Sequence, residues 1–583
     1  MKLEGILHRC GATDCYARNE NELVINIRTN KEITSVVLIQ EDPYVNGISG
    51  RIPWTGTPMV MQVSLELREY FVWTAVVSPK FKRLQYYFEV ISGAEKRILM
   101  EDGIYTEQEM QLDGMMKQYF KYAWMNPSDL YRAPQWVEDT FWYQIMPDRF
   151  CRMAKASDSR KPADWTNTAD MKYNQFYGGN FSGITSKLPY LQELGINGIY
   201  LTPIFESPSD HKYNTTDYLK VSKDFGTDED FRELVEKAHA LGIKIMIDAV
   251  FNHCGRDFFA WRDVVKRGKA SRYYDWFFIQ KENFDGEEKT RDGRYYSFAF
   301  EAQMPKLNTN HPEVAEYFCG ICREWIAKWD VDGIRFDVGN EIAHSFIRKL
   351  RTELKAVKPD LFLLGEIWHD SGPWLAGDEY DSVMDYPFME TIHNFFTNKR
   401  WSARDFMYQI NRCYSLYTSM VNRVLFHFLD SHDVGRVFSR CENEDVFFQQ
   451  LALLVTMTGT PCIFYGTEIA LDGKCGPYNR KPMPWENIQN GEYEHIYREV
   501  RALLRLRRND NDTLKKCDIR WKVTEKRFLC YERPGDNTIT IYLNAEKEPQ
   551  KLRLCGEEIL YARKYSGNVL APDGTLIVRR KAE

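Results

Sequence analysis

The sequence predicts an α/β fold: a (β/α)8 TIM barrel, preceded by an N-terminal β-sandwich and closed by a small C-terminal β domain. Three observations predict it. From Phe141 onward, short apolar runs alternate with amphipathic helical segments, the pattern of parallel strands covered by helices. Before that, over residues 1–125, apolar side chains recur at every second position, as on half-buried strands. After the helical segment that ends near Arg508, the chain returns to short alternating runs. A doubly wound sheet is the competing arrangement, but no Gly-rich phosphate loop follows the first run.

The predicted sandwich spans 1–125. Leu23, Ile25 and Ile27 alternate with Val24, Asn26 and Arg28; Val63, Leu65 and Leu67 alternate with Ser64, Glu66 and Arg68. Leu84, Tyr86, Phe88 and Val90 repeat the period, and Asp42-Pro43, Asn46-Gly47 and Ser92-Gly93 punctuate the runs. Nothing in this region is catalytic in type. It reads as a packing module or, more sharply, as a carbohydrate-binding or dimerisation module.

Asn126–Pro134 reads as a linker into the catalytic region, 126–508. Its predicted strands are Phe141–Met146, Gly198–Leu201, Lys244–Ala249, Gly333–Phe336, Leu361–Leu364, Ser382–Met384, Val424–Phe428 and Pro461–Phe464. Helical segments such as Phe231–Leu241, Glu313–Trp329 and Phe346–Val357 lie between them. The stretch from about 253 to 304 is too long for a simple loop and predicts a small excursion domain rich in aromatics, among them Trp276, Phe277, Phe278, Tyr295 and Tyr296. Asn509-Asp510-Asn511-Asp512 breaks the chain before the C-terminal β domain, 509–583.

The chain has 583 residues, a length that suits roughly two to four domains. Net charge is −6, which suggests neither a nucleic-acid nor an anionic-membrane partner. The first residues hold no apolar run of signal-peptide length, and no run of membrane-spanning length occurs later, so a cytoplasmic location is expected. The 13 scattered cysteines point to a reducing compartment. Cys319 and Cys322 form a CxxC inside a predicted helix, with no second pair, and read as core thiols rather than a zinc site.

The chemistry gathers at strand ends, the functional face of a barrel. Trp329–Glu341 reads as a buried strand that breaks into polar residues. Arg335 and Asp337 are two apart and share one side, so Arg335 is expected to hold Asp337 ionised and aimed, as a nucleophile requires. Asp248, Asn252 and His253 follow the third run, Glu366 through Asp370 the fifth, and Asp430 through Asp433 the seventh. Carboxylates crowded into one bowl push each other's pKa values apart, and glycoside hydrolysis needs such a pair.

Four stretches, DAVFNH (Asp248–His253), GIRFDVGNE (Gly333–Glu341), GEIWHD (Gly365–Asp370) and FLDSHD (Phe428–Asp433), resemble the signature regions of the α-amylase family of retaining glycosidases, in order and in strand placement. Met304-Pro305-Lys306-Leu307-Asn308, the VGNE ending and Ser207–Tyr213 resemble its cyclomaltodextrinase, neopullulanase and maltogenic amylase subfamily. The resemblance implies Asp337 as nucleophile, Glu366 as general acid and base, and Asp433 as the third carboxylate. It implies Arg335 as the nucleophile's partner, His253 and His432 as hydrogen-bond donors around the cleaved sugar, and Tyr213 as its stacking platform. Trp368 and Glu341 match leaving-side positions, and Asp248 matches a support for Arg335.

Two departures stand out. Gly476-Pro477-Tyr478-Asn479-Arg480 keeps the substrate-binding Arg480 but lacks the first acid of the subfamily's stretch, and Gly339 replaces the usual Ala, a change expected to leave the chemistry intact. Many relatives bind calcium near the first strand; here Pro147–Ala156 offers Cys, Met and two cations, and Gly178-Gly179-Asn180 has an amide in place of a carboxylate. No bound metal and no cofactor are therefore expected, although Asp158 lies a little further on. The resemblance implies hydrolysis of α-1,4 bonds in cyclodextrins, maltooligosaccharides and pullulan or starch, by a homodimer joined through its N-terminal domains. The alternatives are an α-1,6-acting oligoglucosidase or debranching enzyme, and a non-catalytic glucan-binding protein.

Overall fold

The computed structural model describes residues 1–48, 53–112, 117–153, 162–281, 289–522 and 526–581. The chain forms two compact units: Met1–Arg132 with Ala403–Asn422, and Ala133–Ser402 with Arg423–Glu583.

The first unit is a two-sheet sandwich. One sheet runs in the order Cys15–Ala17, Leu23–Asn30, Tyr70–Val77, Gln62–Glu66; the other is built around Ser35–Glu41 and Leu84–Ser92. Leu23, Ile25, Ile27, Val36, Leu38, Tyr86, Phe88 and Val90 fill the space between, so the two-residue period at Leu23 and Leu84 marks the core faces. The period at Val63 does not. Gln62–Glu66 is an edge strand whose register shifts between Val63 and Leu65, and Val63 stays 43% exposed. A bulge breaks the alternation, so the apolar set no longer shares one face.

The second unit contains the barrel. Its strands are β1 (Trp142–Ile145), β2 (Gly198–Leu201), β3 (Lys244–Ala249), β4 (Gly333–Phe336), β5 (Phe362–Gly365), β6 (Ser382–Val383), β7 (Phe426–Phe428) and β8 (Thr460–Phe464). They pair in parallel in the order β6-β5-β4-β3-β2-β1-β8-β7, and a parallel bridge from Met384 to Phe426 joins the two ends, which closes the barrel. Every β4 and β5 residue is buried, as expected where helices cover the outside and side chains fill the inside. The helices are locally encoded. Thr227 and Asp230 form a reciprocal cap on Asp228–Ala240, and His311 with Pro312 starts Pro312–Trp329. Cys319 and Cys322 lie fully buried on that second helix, as core thiols.

The excursion after β3 is pinned where it leaves and returns, by a bridge between His253 and Lys306. Trp276, Phe277 and Tyr295 form its buried centre, whereas Tyr296 is exposed. The C-terminal stretch forms a six-stranded antiparallel sheet that includes Phe528–Arg533, Asn537–Asn544 and Val569–Lys581. Among the described residues, no helix is long and apolar enough to cross a membrane.

Candidate active site

Register sets the centre of the site. Asp248 on β3 stands beside Arg335 on β4, and Arg335 stands beside Leu364 on β5. Two steps past Arg335, the Asp337 amide continues the ladder by donating to the Ala249 carbonyl, and the Glu366 amide donates to the Phe336 carbonyl. Asp337 and Glu366 therefore leave adjacent strand ends on the same level. Arg335 is fully buried beneath them. Its Nη1 donates to Asp337 Oδ1 at 2.8 Å and to both Asp248 oxygens at 2.9 Å, and its Nη2 lies 2.9 Å from Glu366 Oε2.

This arrangement modifies the expected role of Arg335. Burial pushes the Asp337 carboxyl well above the usual carboxylate range; the Glu366 and Asp248 carboxylates add to the push, and Arg335 opposes it. The guanidinium is shared among three carboxylates, so a fraction of its charge serves Asp337. Asp248 is itself pushed up by burial and is steadied by the hydroxyls of Tyr200 at 2.7 Å and Tyr213 at 2.9 Å.

Glu366 is held from several directions. The Val338 amide donates to Oε2 at 2.9 Å, Trp368 Nε1 donates to Oε1 at 3.0 Å, and the Tyr386 hydroxyl approaches Oε1 at 3.4 Å. Trp368 and Tyr386 stack with ring centres 4.0 Å apart, which fixes the indole while leaving it 48% exposed. Val338 sits at φ +47°, a left-handed conformation that a β-branched residue adopts only at a cost of about 1–3 kcal/mol. That turn aims its amide at the Glu366 carboxylate. The next residue is packed so closely that a Cβ on Gly339 would meet the Tyr380 hydroxyl at 3.1 Å and the Glu366 nitrogen at 3.2 Å.

The remaining predicted site residues converge around this centre. Tyr213 and His432 stack at 5.3 Å with an angle of 5°. Gln144 Nε2 donates to His432 Nδ1 at 2.7 Å, which assigns the proton to Nε2, facing the Tyr213 hydroxyl at 2.5 Å and Asp433 Oδ2 at 3.1 Å. Arg480 donates from Nε to the His432 carbonyl at 2.8 Å and places Nη2 3.6 Å from Asp433 Oδ1. His253 lies against Tyr213. Its Nε2 donates to the Tyr213 carbonyl at 3.1 Å and its ring stacks on Phe298, so in this structure it braces Tyr213. Burial pushes the His253 imidazole down to about 3 and that of His432 well below the ordinary range, so both stay neutral at pH 7. Glu341, at the outer edge, takes an ion pair from Lys306 at 3.0 Å; Lys306 also donates to Asn252 and so ties the end of the excursion to the loops after β3 and β4.

Sequence reasoning missed Gln144, Tyr200 and Tyr386. Gln144 had a signal, a single amide inside the apolar run Phe141–Met146. Tyr200 and Tyr386 had none, since a tyrosine within a strand or at the start of a helix is ordinary core material.

Among the described residues, the donors near β1 do not fit calcium. Asn180 Oδ1 accepts the Gly183 amide at 2.8 Å as a helix cap, and its Nδ2 donates to the Met153 carbonyl at 2.6 Å. Arg152 Nη1 donates to the Tyr177 carbonyl at 3.3 Å, so a cationic side chain already serves this loop. Ala154, Lys155, Ala156 and Asp158 lie outside the described residues. Among the described residues, no cluster of His, Cys, Asp and Glu is suited to holding a metal ion.

A family profile described as the catalytic domain of α-amylase matches residues 144–527. The chain belongs to the α-amylase family. In this α-amylase family member, a second profile, the N-terminal Ig-like domain of α-amylase, matches residues 1–126. The chain is 39% identical over 546 residues to an intracellular maltogenic amylase of Bacillus subtilis, covering 93% of this chain and 91% of that one. It is 37% identical over 519 residues to neopullulanase 2 of Thermoactinomyces vulgaris, covering 87% and 84%. The solved structure of a cyclomaltodextrinase superimposes with a TM-score of 0.88 at 32% identity, covering 100% of this chain and 98% of that one. This family member is thus a glycoside hydrolase of the cyclomaltodextrinase, neopullulanase and maltogenic amylase group, and an α-glucan hydrolase in type.

Proposed function

We propose that the protein hydrolyses α-1,4-glucosidic bonds in cyclodextrins and maltooligosaccharides, and in pullulan or starch, by a retaining double displacement. The observation that carries this reading is the shared guanidinium: Arg335 touches the carboxylates of both Asp337 and Glu366, two side chains from adjacent strand ends. Asp337 attacks the anomeric carbon as Glu366 protonates the departing glycosidic oxygen. The covalent glycosyl-enzyme is then opened by a water from which Glu366 takes a proton. The positive charge that develops on the sugar ring in the transition state is stabilised by the ionised Asp337 carboxylate. Asp433, carried with Arg480 and His432, is suited to gripping sugar hydroxyls, and Tyr213 to receiving the sugar's apolar face. Glu341 and the exposed Trp368 serve the leaving side.

The proposed assembly is a homodimer through the N-terminal domain, 1–125, working in the cytoplasm. Support comes from apolar side chains left exposed on the sandwich, including Ile48, Val60 and Val63. Light scattering should give twice the chain mass; a monomer would remove this assembly.

The deciding experiment for substrate is incubation with β-cyclodextrin, pullulan and maltotriose, followed by product chromatography. Maltose and glucose released fastest from β-cyclodextrin fit the proposal. Cleavage confined to α-1,6 bonds, or no cleavage, would overturn it.

A further inference from the structure

We propose a second α-glucan binding site on the outer wall of the barrel unit, apart from Asp337 and Glu366. It rests on the α-glucan reading of the active site. A cavity of about 740 Å³ opens between the helix Pro312–Trp329, the start of the helix Phe259–Arg267, the turn Tyr274–Trp276 and the strand Asp217–Val221. Its floor and sides include Leu219, Phe259, Tyr273, Trp276 and Tyr317, and none of the predicted catalytic carboxylates lines it.

The rings are presented as fixed surfaces. Phe259 is 44% exposed, yet its ring is held edge-on by Tyr273 at 5.2 Å and lies 5.7 Å from Tyr317. Tyr273 in turn lies 4.9 Å from the buried Trp276, which packs 5.6 Å from Tyr317. A phenylalanine braced on several sides and open on another offers a preorganised apolar face, and Leu219, 36% exposed, extends it.

The polar groups decide the class of occupant. Glu313 accepts from Trp276 Nε1 at 3.3 Å and pairs with Arg272 at 3.6 Å; Glu316 pairs with Arg323 at 2.9 Å and Lys349 at 3.1 Å. Both lining cations, Arg272 and Arg323, are already engaged by Glu313 and Glu316, and Glu324 adds a third acid, so the cleft carries many hydrogen-bonding atoms and only a slight excess of negative charge. Such a surface offers an anion no free cation. It suits a neutral molecule with apolar faces and a rim of hydroxyls, and glucose rings have that form. The volume lies within the range of small-ligand sites, about 300–1,000 Å³.

The test uses the full-length Asp337→Asn protein, which leaves the ligand uncut, and calorimetric titration with maltoheptaose. Two molecules should bind per chain. Phe259→Ala with Tyr317→Ala should leave one, and so should Leu219→Arg, which fills the cleft from an exposed position. Trp368→Ala should weaken only the other event. One molecule per chain, lost in Trp368→Ala, would overturn the second site and leave the active-site reading standing. Two molecules unaffected by either cleft variant would also overturn it, as would a cleft variant whose sole effect is a change of oligomeric state. No binding anywhere would overturn both readings together.

Discussion

Asp248 and Asp337 accept from the same nitrogen of Arg335, at 2.9 and 2.8 Å. Two buried carboxylates thus compete for one donor, and Glu366 takes the other arm of the guanidinium.

Asp337→Asn should abolish turnover, by about three or more powers of ten, while keeping the fold, because the loss lies in the transition state. It should also stabilise the protein. Burial raises the Asp337 carboxyl, so its ionised form opposes folding at neutral pH. That opposition is absent below the ordinary carboxylate range, near pH 4, grows as pH rises from there toward the raised value, and levels off above it. Melting curves should therefore show a gain at pH 7, ~1 °C per kcal/mol for a chain of this size, that vanishes near pH 4. A lower melting temperature at pH 7 would contradict the sharing.

Asp248→Asn should shift the acid limb of the kcat/KM profile to lower pH. The substitution removes a negative charge that pushes Asp337 up and frees Arg335 to serve it. Neither His253 nor His432 supplies that limb, since burial keeps both neutral. An acid limb that stays in place, or moves up, would show that Asp248 does not set the Asp337 pKa.

Glu366→Gln should discriminate between leaving groups. A glycoside with an acidic phenol leaves with little protonation, so its first step should lose far less rate than cleavage of a natural glucan. Equal losses on both would remove Glu366 as the acid.

Much of this was legible in the sequence, for definable reasons. Strands buried on both faces are continuous apolar runs, so Gly198–Leu201, Lys244–Ala249 and Gly333–Phe336 coincide with the observed strands. The motif residues converge because strand ends of a barrel share one rim. Geometry beyond the period was not legible. Nothing in the letters shows that Val338 turns left-handed to aim its amide at Glu366, or that His253 spends its Nε2 proton on the Tyr213 carbonyl. The bulge at Val63 was hidden as well, since a register shift leaves the alternation of letters intact.

Chelation should leave activity and melting temperature unchanged. Asn180 spends its side-chain oxygen on a helix cap and Arg152 bonds a neighbouring loop carbonyl, so the described donors do not make a calcium site. A fall of several degrees in EDTA, restored by calcium, would show that other ligands complete one.

The measurement closest to the central claim is proton NMR of the first product formed from a maltooligosaccharide. Double displacement, which requires the Asp337 and Glu366 carboxyl groups to stand about 5–5.5 Å apart, retains configuration, so the α-anomer should appear first and the β-anomer only as mutarotation proceeds. A β-anomer appearing first would contradict the account.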